Sequence, residues 1–300
     1  MDLFQWEGFF SMGGKLIFDV GMNVGQDTAF YLLQGDRVLA IEADPTLADA
    51  GRKHFQREIE NGNLEILNVG IFEEEGFADF WISEGRPNFN SFHKDIAARD
   101  GYPHYAVRVP TLRFATVLER YGTPYYLKID IEGNDQMCID ALNSRSLPMY
   151  ISVESECPTT NEPIGVESGL LILRKLHDLG YRRFKLIDQR TFCSLSVPPS
   201  ANYICDRFAR YWLQQSPLNR IRGTYRLSKC LMTRSRLERK YRQEFPIGSS
   251  GVWGEDTSGS WTDFEQAERI YRYYRGKHFQ DPNSPSRSHY SFWCDWHAKV

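Results

Sequence analysis

The stretch from Lys15 to Phe30, KLIFDVGMNVGQDTAF, constrains the fold more than any other part of the chain. A short apolar run ends on Asp19, the chain passes Gly21 and Gly25, and the residues that follow have the texture of a helix. Strand, glycine turn and helix in immediate succession form the first half of a βαβ unit. Glycine there serves both the sharp turn and a close approach of backbone to a ligand. The turn reads Gly-x-x-x-Gly and lacks the Gly-x-Gly-x-x-Gly of dinucleotide sites, where a pyrophosphate rests on the helix N-terminus. An acid placed ahead of the turn repels a pyrophosphate and suits an ammonium group.

Similar runs recur along the chain: RVLAIE, LEILNVGI, ADFWIS, YYLKIDI, MYISVE and, later, RRFKLIDQRTF. Helical segments lie between them, so an α/β fold is expected, a Rossmann-like and mainly parallel sheet flanked by helices. DTAFYLLQG supplies the first crossover helix and stops at Gly35; TLADAGRKHFQREIENG supplies the second, opened by Asp44-Pro45-Thr46 and closed by Asn61-Gly62. TLRFATVLERYG and ESGLLILRKLHDLGY supply two more. The texture changes after about Val197. SVPPS breaks the pattern, a basic stretch runs from Arg220 to Arg242, and FPIGSSGVWGEDTSGSW forms a Gly/Ser loop with two tryptophans. TDFEQAERIYRYYRG then begins with Thr262 and Glu265 spaced as a capping box. This divides the chain into a Rossmann-like domain, 1–197, and a helical and loop C-terminal extension, 198–300, in which the loop Gly248–Gly259 is expected to act as a lid.

Bulk properties remove several classes. The chain has 300 residues, of which 41% are apolar and 25% charged, the ordinary globular balance. No apolar stretch approaches the roughly 18 residues of a spanning helix, and the amino terminus has acids and a Trp where a secretory leader has a basic region and an apolar core. A cytoplasmic chain without a membrane span is expected. The six cysteines are scattered without a Cys-x-x-Cys pair, so reduced thiols are expected and no metal is assigned. The basic stretch is read as a solvated helical face, because Ile221, Tyr225, Leu227, Leu231 and Leu237 interleave it; nucleic acid is not an expected partner.

The second strand ends on Glu42 in VLAIEADP, just over twenty residues past the first glycine, close to the spacing of the acid that holds ribose hydroxyls in related crevices. Asp19 at one end and Glu42 at the other suit a nucleoside that carries a cationic amino acid, and S-adenosylmethionine is such a ligand. Asp19, Gly21, Asn23, Gly25 and Glu42 are therefore read as donor-binding, with Asn68 on the adenine side. KIDIEG brings Lys128, Asp130 and Glu132 to one strand end, where charges are economical only beside a crevice. Asp130 is the candidate to accept or orient the acceptor's proton, with Glu132 as the alternative base; His93, in the loop NFNSFHKD, is a third catalytic candidate. Glu154, ending YISVE, and Trp253 in the lid are assigned to the acceptor.

FDVGMNVGQDT, AIEADP, LNVGIFEEEG and YLKIDIEGND, in that order and over about residues 15–155, resemble the FkbM-type S-adenosylmethionine-dependent methyltransferases. The resemblance implies a class I methyltransferase fold and O-methylation of a sugar, glycan or natural-product hydroxyl. Two positions depart from the common pattern: Met22 stands where a small residue is usual, and Glu132-Gly133-Asn134-Asp135 replaces Glu-Gly-Ala-Glu. A nicotinamide oxidoreductase is excluded by the missing glycine pattern. The competing reading is a catalytically silent carbohydrate- or nucleic-acid-binding protein on the same fold, using Trp253, Trp261, Trp293 and Trp296 as stacking surfaces.

Overall fold

The computed structural model describes residues 14–156, 159, 165–207, 232–246, 248–280 and 292–300. The central sheet contains β1 (Leu16–Val20), β2 (Arg37–Ile41), β3 (Leu64–Leu67), β7 (Tyr126–Ile129), β8 (Tyr150–Glu154), β9 (Arg183–Asp188), β10 (Cys193–Ser194) and β11 (Cys294–Lys299). Its order is β10-β9-β11-β8-β7-β1-β2-β3. The β3-β2-β1-β7-β8 pairs are parallel, whereas β11 runs antiparallel to both β8 and β9. A smaller sheet, in the order β4-β6-β5, is made of β4 (Gly70–Ile71), β5 (Gly76–Ser83) and β6 (His104–Leu112).

Alternation sends successive side chains to opposite faces. On one face Phe18, Val20, Leu127, Ile129, Ile151, Val153 and Trp296 pack with the helices Phe114–Tyr121, Leu171–Leu179 and Phe264–Gln280. On the other, Ile17, Val38, Ala40 and Tyr126 pack with α1 (Gln26–Leu33), α2 (Pro45–His54) and the residues Phe245, Val252 and Trp253. A row of buried polar groups crosses this second face: Asp19 lies opposite Lys128, Lys128 opposite Ser152, Ser152 opposite His297, and His297 opposite Lys185. Each is at most 3% exposed.

The division at residue 197 is not a division in space. β11, from the extension, fills the gap between two strands of the first part, and Phe245, Val252 and Trp253 complete the core over α1. Sequence texture missed β11 because CDWHAK alternates an acid and a histidine along a strand that is buried on both faces. The expected second helix breaks at Phe55. Thr262 does not cap the helix Phe264–Gln280; Asp263 accepts the Gln266 N–H at 2.9 Å, while Thr262 bridges to Phe184. Of the basic stretch, 220–231 lie outside the described residues. Downstream, Arg234 turns inward, donating to the Gln189 carbonyl at 2.6 Å and lying over the Phe192 ring.

Candidate active site

The chain order reverses between β1 and β7, and in an open parallel sheet the crevice lies at the carboxyl ends of the strands at that point. A cavity of about 690 Å³ opens there, the size of a small-molecule site. After β1 the chain turns through Gly21 (φ 87°) and Asn23 (φ 53°) into α1. A Cβ on Gly21 would fall 1.9 Å from the Asp130 carbonyl oxygen, so only glycine lets the turns after β1 and β7 pass each other. The Gly21 and Met22 N–H groups donate to the Ile41 carbonyl at 2.9 and 3.0 Å and tie the turn to β2. Met22 fits because α2 carries Gly51 against it; a Cβ on Gly51 would meet the Met22 Cε at 2.6 Å.

Glu42 follows β2 and lines the crevice. Its Oε2 accepts the Asn23 N–H at 2.7 Å and its Oε1 the Asp44 N–H at 2.8 Å. Burial outweighs these two donors and pushes its carboxyl up to about 7. The smaller sheet and its connections supply the facing wall, with Phe80, Phe89, Asn90 and Phe92.

Beyond β7 the lining continues through Asp130 and Glu132, then to Glu154 at the end of β8. Glu132 holds a left-handed φ of 51°, a conformation that costs a non-glycine residue on the order of 1–3 kcal/mol. Its neighbours over-determine it: Ser91 Oγ donates to the Glu132 carbonyl at 2.6 Å, and the Asp135 carboxylate takes the Gly133 N–H at 3.1 Å. Burial raises Asp130 to about 6 against the pull of the Lys128 ammonium. Burial, then repulsion by Asp130, raises Glu132 to about 8, eased by Arg99. Glu154 is pushed well above the carboxylate range by burial, then by Glu132 and Asp130.

Gly21, Asn23, Glu42, Asp130, Glu132 and Glu154 thus line one crevice. Five other expected residues do not. Asp19 lies beneath the floor, paired with Lys128 at 3.0 Å and accepting from Thr28 Oγ1 at 2.6 Å, so its charge is spent inside the protein. Gly25 (φ 81°) starts α1 and leaves room for the Phe55 ring, 2.6 Å from where a Cβ would be. Asn68 clamps the end of β2, donating to the Glu42 and Ala43 carbonyls. His93 holds the turn after β7 through Nε2 and Asn134 Oδ1, 3.0 Å apart. Trp253 sits at the opposite end of the sheet, stacked on Tyr126 with ring centres 4.5 Å apart and planes 10° from parallel. Its loop is bound to α1 and β9 and is not a free lid.

Sequence reasoning missed Asp27, Phe292 and the Glu156–Arg275 ion pair, all in the lining, and named Trp293, which also lines the crevice, only as a stacking surface of the competing reading. Tyr271 also donates to Glu156, at 2.5 Å. Asp27 sits in the helix's first turn and carries an acid that the opening motif already displayed. Arg275 lies in a helix rich in Arg and Tyr, where nothing marks it out from its neighbours.

The strand order, with its reversed strand next to the last parallel one, and a crevice walled by a glycine turn and a strand-end acid define a Rossmann-like class I methyltransferase fold. The methyltransferase FkbM domain matches residues 19–183, more than half of the chain. The chain belongs to the FkbM methyltransferase family. No curated protein matches it significantly. Among solved structures it is similar to an O-methyltransferase from Bacillus cereus in complex with SAH, at 14% identity over 58% of this chain and 66% of that one, TM-score 0.33. The chain therefore spans just under two thirds of that protein. It is also similar to a SAM dependent methyltransferase from Aquifex aeolicus, at 12% identity over 61% and 80%, TM-score 0.29. A third is a coclaurine N-methyltransferase bound to N-methylheliamine and SAH, at 11% identity over 97% and 69%, TM-score 0.34. The assignment rests on the family match and the strand order.

Proposed function

We propose that this chain is an S-adenosylmethionine-dependent O-methyltransferase of the cytoplasm, acting on a hydroxyl of a sugar, glycan or natural product. The observation that carries the reading is that the Gly21–Asn23 turn, Glu42 and the carboxylates Asp130, Glu132 and Glu154 share one crevice.

The residues fit the donor. Each Glu42 oxygen has accepted one backbone N–H and retains capacity for a ribose hydroxyl. The crevice beside it, lined by Ala43, Leu47, Val69 and Phe92, gives an adenine ring apolar surroundings. The acid-lined end of the crevice suits the cationic end of the donor. S-adenosylmethionine supplies an electrophilic methyl group when bound. What remains for the protein is to orient the acceptor oxygen, exclude water and take a proton. Asp130, raised to about 6, is ionised at neutral pH and is assigned to accept or orient that proton. Glu132, mostly protonated there, is the alternative at higher pH. Glu154 borders the acceptor.

Calorimetry tests the donor half: one site for S-adenosylhomocysteine is expected, weakened by about 1–3 kcal/mol in Glu42→Ala. Preference for a nicotinamide dinucleotide would remove the reading. Labelled donor incubated with fractionated host extract tests the acceptor half. Label found on nitrogen rather than oxygen would correct the reaction class.

A further inference from the structure

The family match ends at residue 183, yet the first turn of α1, which follows directly on the Gly21–Asn23 turn, is held from beyond that limit. α1 starts from Gly25 in the left-handed region with no side-chain cap. It lacks the local hydrogen bond that ordinarily fixes a helix start. Asp27, in the first turn, points elsewhere. Its buried carboxylate accepts Ser249 Oγ at 2.5 Å and the Gly251 N–H at 3.1 Å on Oδ1, and the Ser250 N–H at 2.9 Å on Oδ2. Beside it, Gln26 Nε2 donates to the Gly248 carbonyl at 3.3 Å, and both Gln26 and Gly248 line the crevice. On the loop's far side Gly251 (φ 75°) lies against the Phe192 ring, 2.9 Å from where a Cβ would be, so the loop is backed by a packed side chain.

We propose that Ser249, Ser250 and Gly251 form a latch that sets the donor turn through Asp27, which makes them positioning residues for donor binding. The inference rests on the reading of the crevice as an S-adenosylmethionine site. Three donors of the loop engage the Asp27 carboxylate, which makes it the brace between the loop and α1. Burial raises the Asp27 carboxyl, and the Lys128 ammonium, Ser249 and Ser250 act against that shift; hydrogen bonds of this kind to a carboxylate are among the strong ones. The path onward is short. α1 follows directly from the turn in which the Asn23 N–H holds Glu42 at 2.7 Å, so a displaced first helical turn moves the acid that meets the ribose. The segment Ser249–Gly251 is thereby a fixed support of the donor site, whereas the far end of the loop faces β9.

The test uses the full chain and S-adenosylhomocysteine. Ser249→Ala is expected to weaken its binding about tenfold, and Ser249→Thr, which keeps the hydroxyl, to stay within about twofold of the original chain. Thr257→Val removes the hydroxyl that Lys185 reaches at 2.8 Å in the same loop; it should lower the melting midpoint and leave the affinity unchanged, separating positioning from stability. Unchanged affinity in a folded Ser249→Ala protein overturns the latch, as does an equal loss in Thr257→Val. Amide hydrogen exchange of Gly21 to Asn23 without any ligand decides the matter independently: faster exchange in Ser249→Ala supports the latch, and unchanged exchange overturns it. Should the original chain bind no S-adenosylhomocysteine, the donor reading fails while the exchange result still decides whether the latch sets the turn.

Discussion

Two rows of polar side chains cross the same face of the central sheet, one step of the strand alternation apart. The inner row, Asp19, Lys128, Ser152, His297 and Lys185, mixes acid, base and neutral groups. Asp19 pairs with Lys128, Ser152 meets the Tyr126 hydroxyl at 2.6 Å, and Lys185 reaches Thr257. Two residues further along the strands stand Asp130, Glu154 and Asp295, every one a carboxylic acid, with Glu132 in the turn beyond. Asp295 is bound by Gln189 and, like Glu154, is pushed well above the carboxylate range by burial. The one acid of the inner row has its counter-charge inside the protein, Asp19 on Lys128 at 3.0 Å. Asp130, Glu132 and Glu154 of the outer row line a cavity, and the acids of this row repel one another until they take up protons or a ligand brings charge and hydrogen bonds. Stability is placed in one row and binding capacity in the other.

The strongest way to break this contrast is to unbalance the inner row. Lys128→Met leaves the Asp19 carboxylate buried without its counter-charge and should cost about 3–5 kcal/mol in urea unfolding. Asp19→Asn on that background should recover part of the loss, a coupling readable from the double-mutant cycle. A cost below about 1 kcal/mol would mean that the row is hydrated and the contrast false.

Acidity sharpens the contrast from the other side. Glu132 binds its proton more tightly in the folded chain, at about 8, than at its ordinary 4.5. The folded state therefore gains from this group at low pH; the gain is full below the ordinary value and is lost as pH rises through the folded one. Unfolding followed from about pH 6 to about pH 9 should show a loss on the order of 1–3 kcal/mol, and Glu132→Gln should flatten the curve over that interval. An unaltered slope in the variant would place the titration elsewhere. The smallest effect is expected from Glu154→Gln, which removes one repelling acid and should stabilise the protein by about 1 kcal/mol in thermal unfolding. Destabilisation there would move Glu154 into the balanced class.

The parts of this arrangement that sequence made legible are the ones encoded locally. Gly21, Asn23 and Glu42 announce themselves because a strand, a turn and a strand-end acid lie within one βαβ unit. Asp130 and Glu132 are legible because charges at the end of an apolar run need a reason to be there. Asp19 reads as a ligand contact only while its partner is out of view: Lys128 stands opposite it on β7, far along the chain, and no local pattern joins the two. The loop Gly248–Gly259 has the composition of a mobile segment, and only the fold reveals that its serines answer Asp27 from 222 residues away. Composition reports what a segment does when nothing holds it. Long-range hydrogen bonds, which have no trace in local texture, decide whether something does.

The position of β11 has a consequence for how the sheet is assembled. Residues 294–299 run between β8 and β9, which are complete by residue 188. During synthesis, the chain must carry two strand edges whose shared partner, β11, is made only after more than a hundred further residues. Unpaired edges of this kind are templates for the wrong partner, and contacts of such long range are slow to form. The order of translation thus leaves an inner strand of the sheet until last.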